Sequence, residues 1–300
     1  MTRRDGDPVQ FKVGTTELIK LGTKRYDLGD PYHLAITMRW RNFFAACLAI
    51  DLALNLVFAV LYDLVPHCVA NVRPGSLSDA FFFSIETLAT VGYGVMAPSS
   101  TYGHVVASLE LTCGLAFTAL FTGLTFVRFS RIKAKIVFAK RAVVARHNGV
   151  PTLMIRMGYE RAGSLADAEA RVTFMRLMAT EDGQTYRQSD ELSLNRNRLA
   201  LMVLSWTLMH EIDAASPMYG FTHESMLAAD ARLIVTMRAR NHAAGAEVFD
   251  MIIYNPAEVL FGMSYRDMVH RDPTTGRIHA DLRKLDLVGP DTGAETTVRA

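Results

Sequence analysis

Ala80-Phe81-Phe82-Phe83-Ser84-Ile85-Glu86-Thr87-Leu88-Ala89-Thr90-Val91-Gly92-Tyr93-Gly94 decides how this chain is read. The apolar run from Ala80 to Ala89 supplies about three helical turns, with Ser78 or Asp79 placed to cap its N-terminus. At about 1.5 Å per residue, such a helix is too short to cross a hydrocarbon core of about 30 Å. It sits between two longer apolar runs, Phe43 to Val65 and Val105 to Val127, each long enough to cross. A short helix so placed must enter and return. The non-helical backbone after it is tolerated at membrane depth only where protein buries it or it lines water.

The cations orient these spans. Between them, Asp63 to Tyr102 carries Arg73 alone among Lys and Arg. After the second span come Arg128, Arg131, Lys133, Lys135, Lys140, Arg141 and Arg146 with no acid among them, and Lys24, Arg25, Arg39 and Arg41 precede the first. By the positive-inside rule both termini are cytoplasmic and the segment between the spans is external. The expectation is a multi-pass protein of the cell inner membrane. The first run starts too far from Met1, and is too long, for the apolar core of a signal peptide.

Composition agrees. The 300 residues are 50% hydrophobic and 21% charged, which excludes a disordered chain, a collagen or a disulfide-stapled miniature. A net charge of +2 argues against a nucleic-acid binder held by bulk charge. Three cysteines without paired spacing suggest neither a disulfide framework nor a zinc site; Cys47 and Cys113 read as buried thiols and Cys68 as a loose one.

Thr90-Val91-Gly92-Tyr93-Gly94 is recognised, rather than derived, as the potassium-filter signature. The physical requirement is still visible in its residues. A dehydrated potassium ion needs oxygens in place of its water shell, so successive carbonyls of one strand must point the same way. Gly92 and Gly94 can take the positive φ that such a backbone needs, and Thr90 adds a hydroxyl at the inner end. Val91 and Tyr93 are expected to face away from the ions and pack the loop. The preceding helix aims its partially negative C-terminus at the pore centre, and Glu86, four residues before Thr90, is placed to brace the filter from behind. Potassium would be held at Thr90, Val91, Gly92 and Tyr93. One filter strand cannot enclose an ion and the chain holds a single copy, so a homotetramer is expected.

Beyond Arg128 the pattern changes to short apolar or alternating segments, among them Thr152–Arg156, Leu201–Thr207, Leu233–Met237 and Val248–Tyr254. Turn signals such as Asn148-Gly149, Pro217 and Asn255-Pro256 separate them, and no GxGxxG is present. The reading is an all-β sandwich of about 150 residues. From Tyr26 to Asp286 the chain resembles the inward-rectifier potassium channels, and their prokaryotic group above all. The resemblance rests on Arg39-Trp40-Arg41, Ala80 to Thr87, Thr152-Leu153-Met154-Ile155-Arg156, and most specifically Trp206-Thr207-Leu208-Met209-His210-Glu211-Ile212-Asp213 followed by Ser216-Pro217-Met218-Tyr219.

The resemblance implies a membrane α fold of slide helix, outer helix, re-entrant pore helix, filter and inner helix, joined to an immunoglobulin-like cytoplasmic β-sandwich that continues the pore inward. It divides the chain into a cytoplasmic N-terminus with slide helix (1–41, the helix over Tyr26 to Met38), a pore domain (42–127), a cytoplasmic β domain (128–288) and a disordered tail (289–300). It further implies that Leu111, Leu115, Thr118 and Thr122, which share one helical stripe, line the pathway, and that Phe126 at the end of that stripe forms the gate. The chain also departs from eukaryotic relatives. It has Cys68 but no partner for the flanking cysteine pair, Val95 where an Arg would pair with the acid matching Glu86, and Thr118 where strong rectifiers carry an acid. Steep block by magnesium or polyamines is therefore not implied, whereas barium fits the same oxygen cage.

Several residues carry two readings. Arg39, Arg41, Arg128, Arg131, Lys133 and Lys135 follow from topology alone, yet their density suits anionic lipid headgroups. Asp51 and Glu110, ionisable within the spans, are either tuning charges near the pathway or buried hydrogen-bonded acids. Gly114 and Gly123 are packing positions or bend points. His210 beside Glu211 and Asp213 looks catalytic but reads better as a structural histidine, and no enzyme is expected. Glu181 and Asp182 fall near the cytoplasmic-pore acids implied by the resemblance. Gating at the inner-helix bundle and the cytoplasmic domain is the expected function. The alternative is a non-conducting, receptor-like membrane protein whose sandwich binds a partner.

Overall fold

The computed structural model describes residues 9–13, 16–20, 29–131, 133–180 and 182–291. They divide into two compact units, one spanning Arg25–Arg131 and the other combining the N-terminal segment with the chain from Ile132 onward.

In the first unit, α1 (Pro31–Thr37) opens with Pro at its first turn and Asp30 as N-cap, whose carboxylate accepts from His33 N at 2.9 Å. The expected slide helix is thus shorter than Tyr26 to Met38, ending where Met38 turns extended; residues 26–28 lie outside the described residues. α2 (Trp40–Asp63) and α4 (Thr101–Phe129) have 24 and 29 residues and are long and apolar enough to cross a membrane. Each presents one packed face at helical spacing: Asn55, Phe58, Ala59 and Tyr62 on α2, and Gly103, Val106, Ala107, Glu110 and Gly114 on α4. Between them lies α3 (Leu77–Leu88), whose Ala80 and Phe83 join that core. Its N-cap is Ser76, accepting from Asp79 N, rather than Ser78 or Asp79 as the sequence suggests. Asp79 is engaged instead by the Arg73 guanidinium, at 2.8 Å.

Two close approaches fix this helix set. A Cβ at Gly114 would overlap the Leu88 carbonyl at the end of α3, and one at Gly103 would overlap the Cys68 carbonyl. Gly114 is therefore a packing position, whereas a Cβ at Gly123 meets nothing within 4 Å. Two thiols exchange their expected places, while Cys47 is half-buried. Cys68 is buried and Cys113 is exposed.

The second unit is β-rich, as the strand spacing predicts. One five-stranded sheet runs Arg198–Met202, Leu165–Ala179, Arg232–Asn241, Ala246–Tyr254, with Thr185–Leu192 also paired to the long strand. The other runs Ser205–Glu211, Val150–Tyr159, Ala142–His147, Val259–Phe261, with Ile136–Phe138 paired to Val150–Tyr159. Inward residues of both sheets, including Ile155, Met157, Trp206, Leu208, Phe174, Leu233 and Val235, form one apolar core. Among the elements not foreseen are two strand pairings. Val9–Val13 pairs with Thr16–Lys20 as a hairpin, and Val288–Pro290 pairs with Met263–Tyr265. The latter corrects the disordered tail where it begins, since Gly289 and Pro290 are in a strand; residues 292–300 lie outside the described residues.

Because Gly114 abuts backbone, Gly114→Ala should destabilise the protein by about 1–3 kcal/mol through overpacking, while Gly123→Ala leaves it unchanged. Thermal melting of the two purified variants in detergent distinguishes them; equal melting temperatures would remove the packing role of Gly114.

Candidate ion pathway

The filter loop leaves α3 through a defined set of bonds. The Thr90 amide donates to Thr87 O at 3.0 Å, and the Glu86 carbonyl accepts from both Val91 N (2.9 Å) and Gly92 N (3.3 Å). Glu86 thus braces the loop through its backbone carbonyl. Positive φ recurs at alternate residues: Thr90 at 57°, Gly92 at 57° and Gly94 at 82°. The two glycines follow the sequence expectation. Thr90 does not, because a β-branched residue in the left-handed region is strained, and nothing in its side chain signals that conformation. Val91 and Tyr93 are 51% and 74% exposed, so they are left open rather than packed against the loop.

Behind α3 a polar cluster ties three helices together. Glu110 of α4 is completely buried; Tyr62 Oη of α2 donates to its Oε2 at 2.6 Å, and Ser84 Oγ of α3 bonds its Oε1. Ser84 also reaches Asn55 Oδ1 at 3.1 Å, and the Asn55 amide donates to the Asp51 carbonyl at 2.9 Å. Of the two readings of Glu110, the buried hydrogen-bonded acid is the one its contacts support. Sequence reasoning missed Tyr62, Ser84 and Asn55. The available signal was Asn55 and Tyr62 seven residues apart, two turns along one face of an otherwise apolar helix.

On α4, Leu111, Leu115, Thr118, Thr122 and Phe126 are all exposed in the protomer, and Phe126 is 71% exposed. At about 100° per residue this stripe lies roughly a quarter-turn away from the packed face of Glu110 and Gly114. The basic residues divide. Arg39, Arg41, Arg131, Lys133 and Lys135 are exposed, with Arg131 donating to Ile36 O at 3.2 Å and Lys135 paired to Glu160 at 2.8 Å. Arg128 is different. It is buried, stacks over the Trp40 and Phe43 rings with centroids 4.5 Å away, and donates to the Ala35 carbonyl and, at 2.8 Å, to the Met38 carbonyl. It pins the C-terminus of α1 to α4, which is a reason to take it out of the set that meets lipid headgroups. Its spacing from the other cations gave no hint of this.

In the β unit, His210 is buried with Nδ1 2.7 Å from Ser193 O and Nε2 2.7 Å from Ser216 Oγ, so both ring nitrogens are committed to structure. No group of His, Cys, Asp and Glu able to hold a metal occurs among the described residues. Glu181 lies outside the described residues.

Comparison with known proteins follows the same division. Residues 136–295 match the inward rectifier potassium channel C-terminal domain, and residues 50–131 match an ion channel family. The chain is 33% identical over 273 residues to the inward rectifier potassium channel Kirbac3.1 of Paramagnetospirillum magnetotacticum, covering 91% of this chain and 92% of that one. This chain belongs to the inward-rectifier potassium channel family. It is a membrane protein with two spans, an ion channel rather than an enzyme. More distant relatives are inward rectifier potassium channel irk-1 of Caenorhabditis elegans, 24% identical over 86% of this chain, and the human ATP-sensitive inward rectifier potassium channel 14, 26% identical over 81%. The match spans only 52% and 60% of those two longer proteins.

Arg128→Met keeps the chain length and apolar stem but removes both bonds to α1. Charged hydrogen bonds contribute about 1.5–3 kcal/mol each, so hydrogen exchange at the amides of 34–37 should accelerate by about tenfold or more. Unchanged protection there would show that α1 is held by other contacts.

Proposed function

We propose that this inward-rectifier potassium channel is a homotetramer in the cell inner membrane. Potassium is coordinated by Thr90, Val91, Gly92 and Tyr93, with Gly94 completing the filter turn. The observation that carries the reading is the recurrence of left-handed φ at Thr90, Gly92 and Gly94 directly after a re-entrant helix. A backbone alternating between left- and right-handed residues turns successive carbonyls to one side, which supplies the stacked oxygens an ion needs once its water is lost. A single strand contributes one oxygen per layer, so four copies are required to close the cage. The same assembly accounts for Val91 and Tyr93, whose open faces would be covered by a neighbouring copy. The filter is supported by Glu86 from behind.

Leu111, Leu115, Thr118 and Thr122 line the cavity in this reading, and four Phe126 rings form the gate by making hydrated ions shed water with nothing in return. Arg39, Arg41 and Arg131, with Lys133 and Lys135 following in sequence, offer anionic lipid headgroups about 1 kcal/mol per cation near the surface. Arg128 contributes indirectly, by holding α1.

Gly92→Ala should abolish potassium-over-sodium selectivity in liposome flux, because a Cβ disfavours the left-handed conformation there. Wild-type rubidium flux should be blocked by external barium and stimulated or inhibited by anionic lipid. Absence of any potassium flux from correctly assembled protein would favour the non-conducting receptor; retained selectivity in Gly92→Ala would displace the filter assignment.

Phe126→Asp places four carboxylates around the constriction, wetting it and pushing the helices apart. A higher resting open probability with unchanged selectivity is expected in single-channel recordings. A variant that assembles but opens no more than wild type would move the gate elsewhere; one that fails to assemble would show that the stripe packs.

A further inference from the structure

We propose that Glu110 carries a proton and acts as a neutral donor locking the pore helix to both spanning helices. The argument is a count of hydrogens. Three oxygen–oxygen contacts meet behind α3: Tyr62 Oη with Glu110 Oε2 at 2.6 Å, Ser84 Oγ with Glu110 Oε1, and Ser84 Oγ with Asn55 Oδ1 at 3.1 Å. Each contact needs a hydrogen on its line. The Tyr62 and Ser84 hydroxyls bring one apiece. The Asn55 amide nitrogen is turned to Asp51, 2.9 Å from its carbonyl and 3.4 Å from its Oδ2. Turning that amide over would give Ser84 an N–H but lose the bond to Asp51 and set the amide oxygen against the Asp51 carbonyl, acceptor against acceptor, so it moves the conflict without removing it.

An ionised Glu110 therefore leaves three contacts with two hydrogens, and one hydroxyl hydrogen of Ser84 cannot lie on two lines. A protonated Glu110 completes the set. Its Oε1–H donates to Ser84 Oγ, the Ser84 hydroxyl is released to Asn55 Oδ1, and Oε2 accepts from Tyr62.

The surroundings agree. Glu110 is completely buried, and among the described residues no Lys, Arg or His forms an ion pair with it. The titratable groups nearest the cluster are Tyr62, with Cys68 and Tyr102 beside it, and, through Asn55, Asp51 on α2; on α3, Glu86 lies two residues beyond Ser84, and on α4 itself the neighbours in sequence are His104 and Cys113. None of these is a cation held against the carboxyl, and a buried carboxylate without one is strongly unfavourable. Conduction requires ions to leave the filter as well as enter it. A neutral acid fixes α3 without adding a negative charge behind the ion path. That consequence rests on the potassium-channel reading; the position of the proton does not.

Infrared difference spectra of the full-length protein in vesicles near neutral pH, wild type minus Glu110→Gln, test the proposal. A protonated-carboxyl C=O stretch should be present in wild type and lost in the variant. Tyr62→Phe, which removes the bond to that C=O, should shift the band to higher frequency. Glu110→Gln keeps one donor and one acceptor in place, so its melting temperature and rubidium flux should match wild type. A difference spectrum showing only carboxylate bands, or a Glu110→Gln tetramer that melts lower or falls apart, would overturn the assignment. The protonated band without flux in either protein would uphold the proton and refute the channel reading instead.

Discussion

A chain that leaves helical geometry at membrane depth must find protein partners for its backbone, and here the Glu86 carbonyl supplies them. Two consecutive amides, Val91 N and Gly92 N, converge on that one oxygen. The bonds turn the chain sharply at the end of α3 and admit the left-handed Thr90. A strained β-branched residue of this kind costs about 1–3 kcal/mol and persists only where its surroundings over-determine it. The position of Glu86 is in turn fixed by α3, so the loop is only as well placed as that short helix. Twelve residues cannot anchor themselves by length. They are held by Gly114 closing on the Leu88 carbonyl at one end, by Ser76 and the Arg73–Asp79 pair at the other, and by the Ser84 hydroxyl between.

The polar cluster and the apolar core share this work because each lacks something. Between helices in lipid there is little hydrophobic driving force, so association relies on close packing of small residues and on interhelical hydrogen bonds. Ala59, Ala80, Ala107 and Gly114 provide the first; Tyr62, Ser84, Asn55 and Glu110 provide the second. Apolar packing alone sets distance but tolerates sliding. Three hydroxyl and carboxyl groups from three helices do not, since a shift of one residue breaks all of their bonds at once.

Residues whose roles follow from chemistry local in sequence were legible; those whose roles depend on a distant partner were not. The short helix between the spans, the spans, the β-sandwich and the left-handed glycines after the short helix follow from run lengths, alternation and the absence of a Cβ. The hairpin of Val9–Val13 with Thr16–Lys20 and the strand Val288–Pro290 escaped because each is short and gains its order from pairing. Asp79 does not cap α3 because Arg73, six residues before it, occupies its carboxylate. Arg128 looks like its neighbours in any count of charge. Its burial depends on Trp40 and Phe43, more than eighty residues earlier, and on carbonyls that are free only because α1 ends at Thr37.

That placement constrains how the end of α4 can move. Phe126 and Arg128 are two residues apart, so at about 100° per residue they lie about 200° apart around the helix. One face of the last turn therefore presents the exposed Phe126 ring, while the opposite face delivers a guanidinium to the Ala35 and Met38 carbonyls. A rotation of that turn large enough to turn Phe126 to another face must drag α1 with it or break charge-assisted bonds made in a buried site. Breaking them is the costlier course, because the guanidinium would be left buried without acceptors. α1 and the last turn of α4 are thus tied through Arg128, on the face opposite the Phe126 ring.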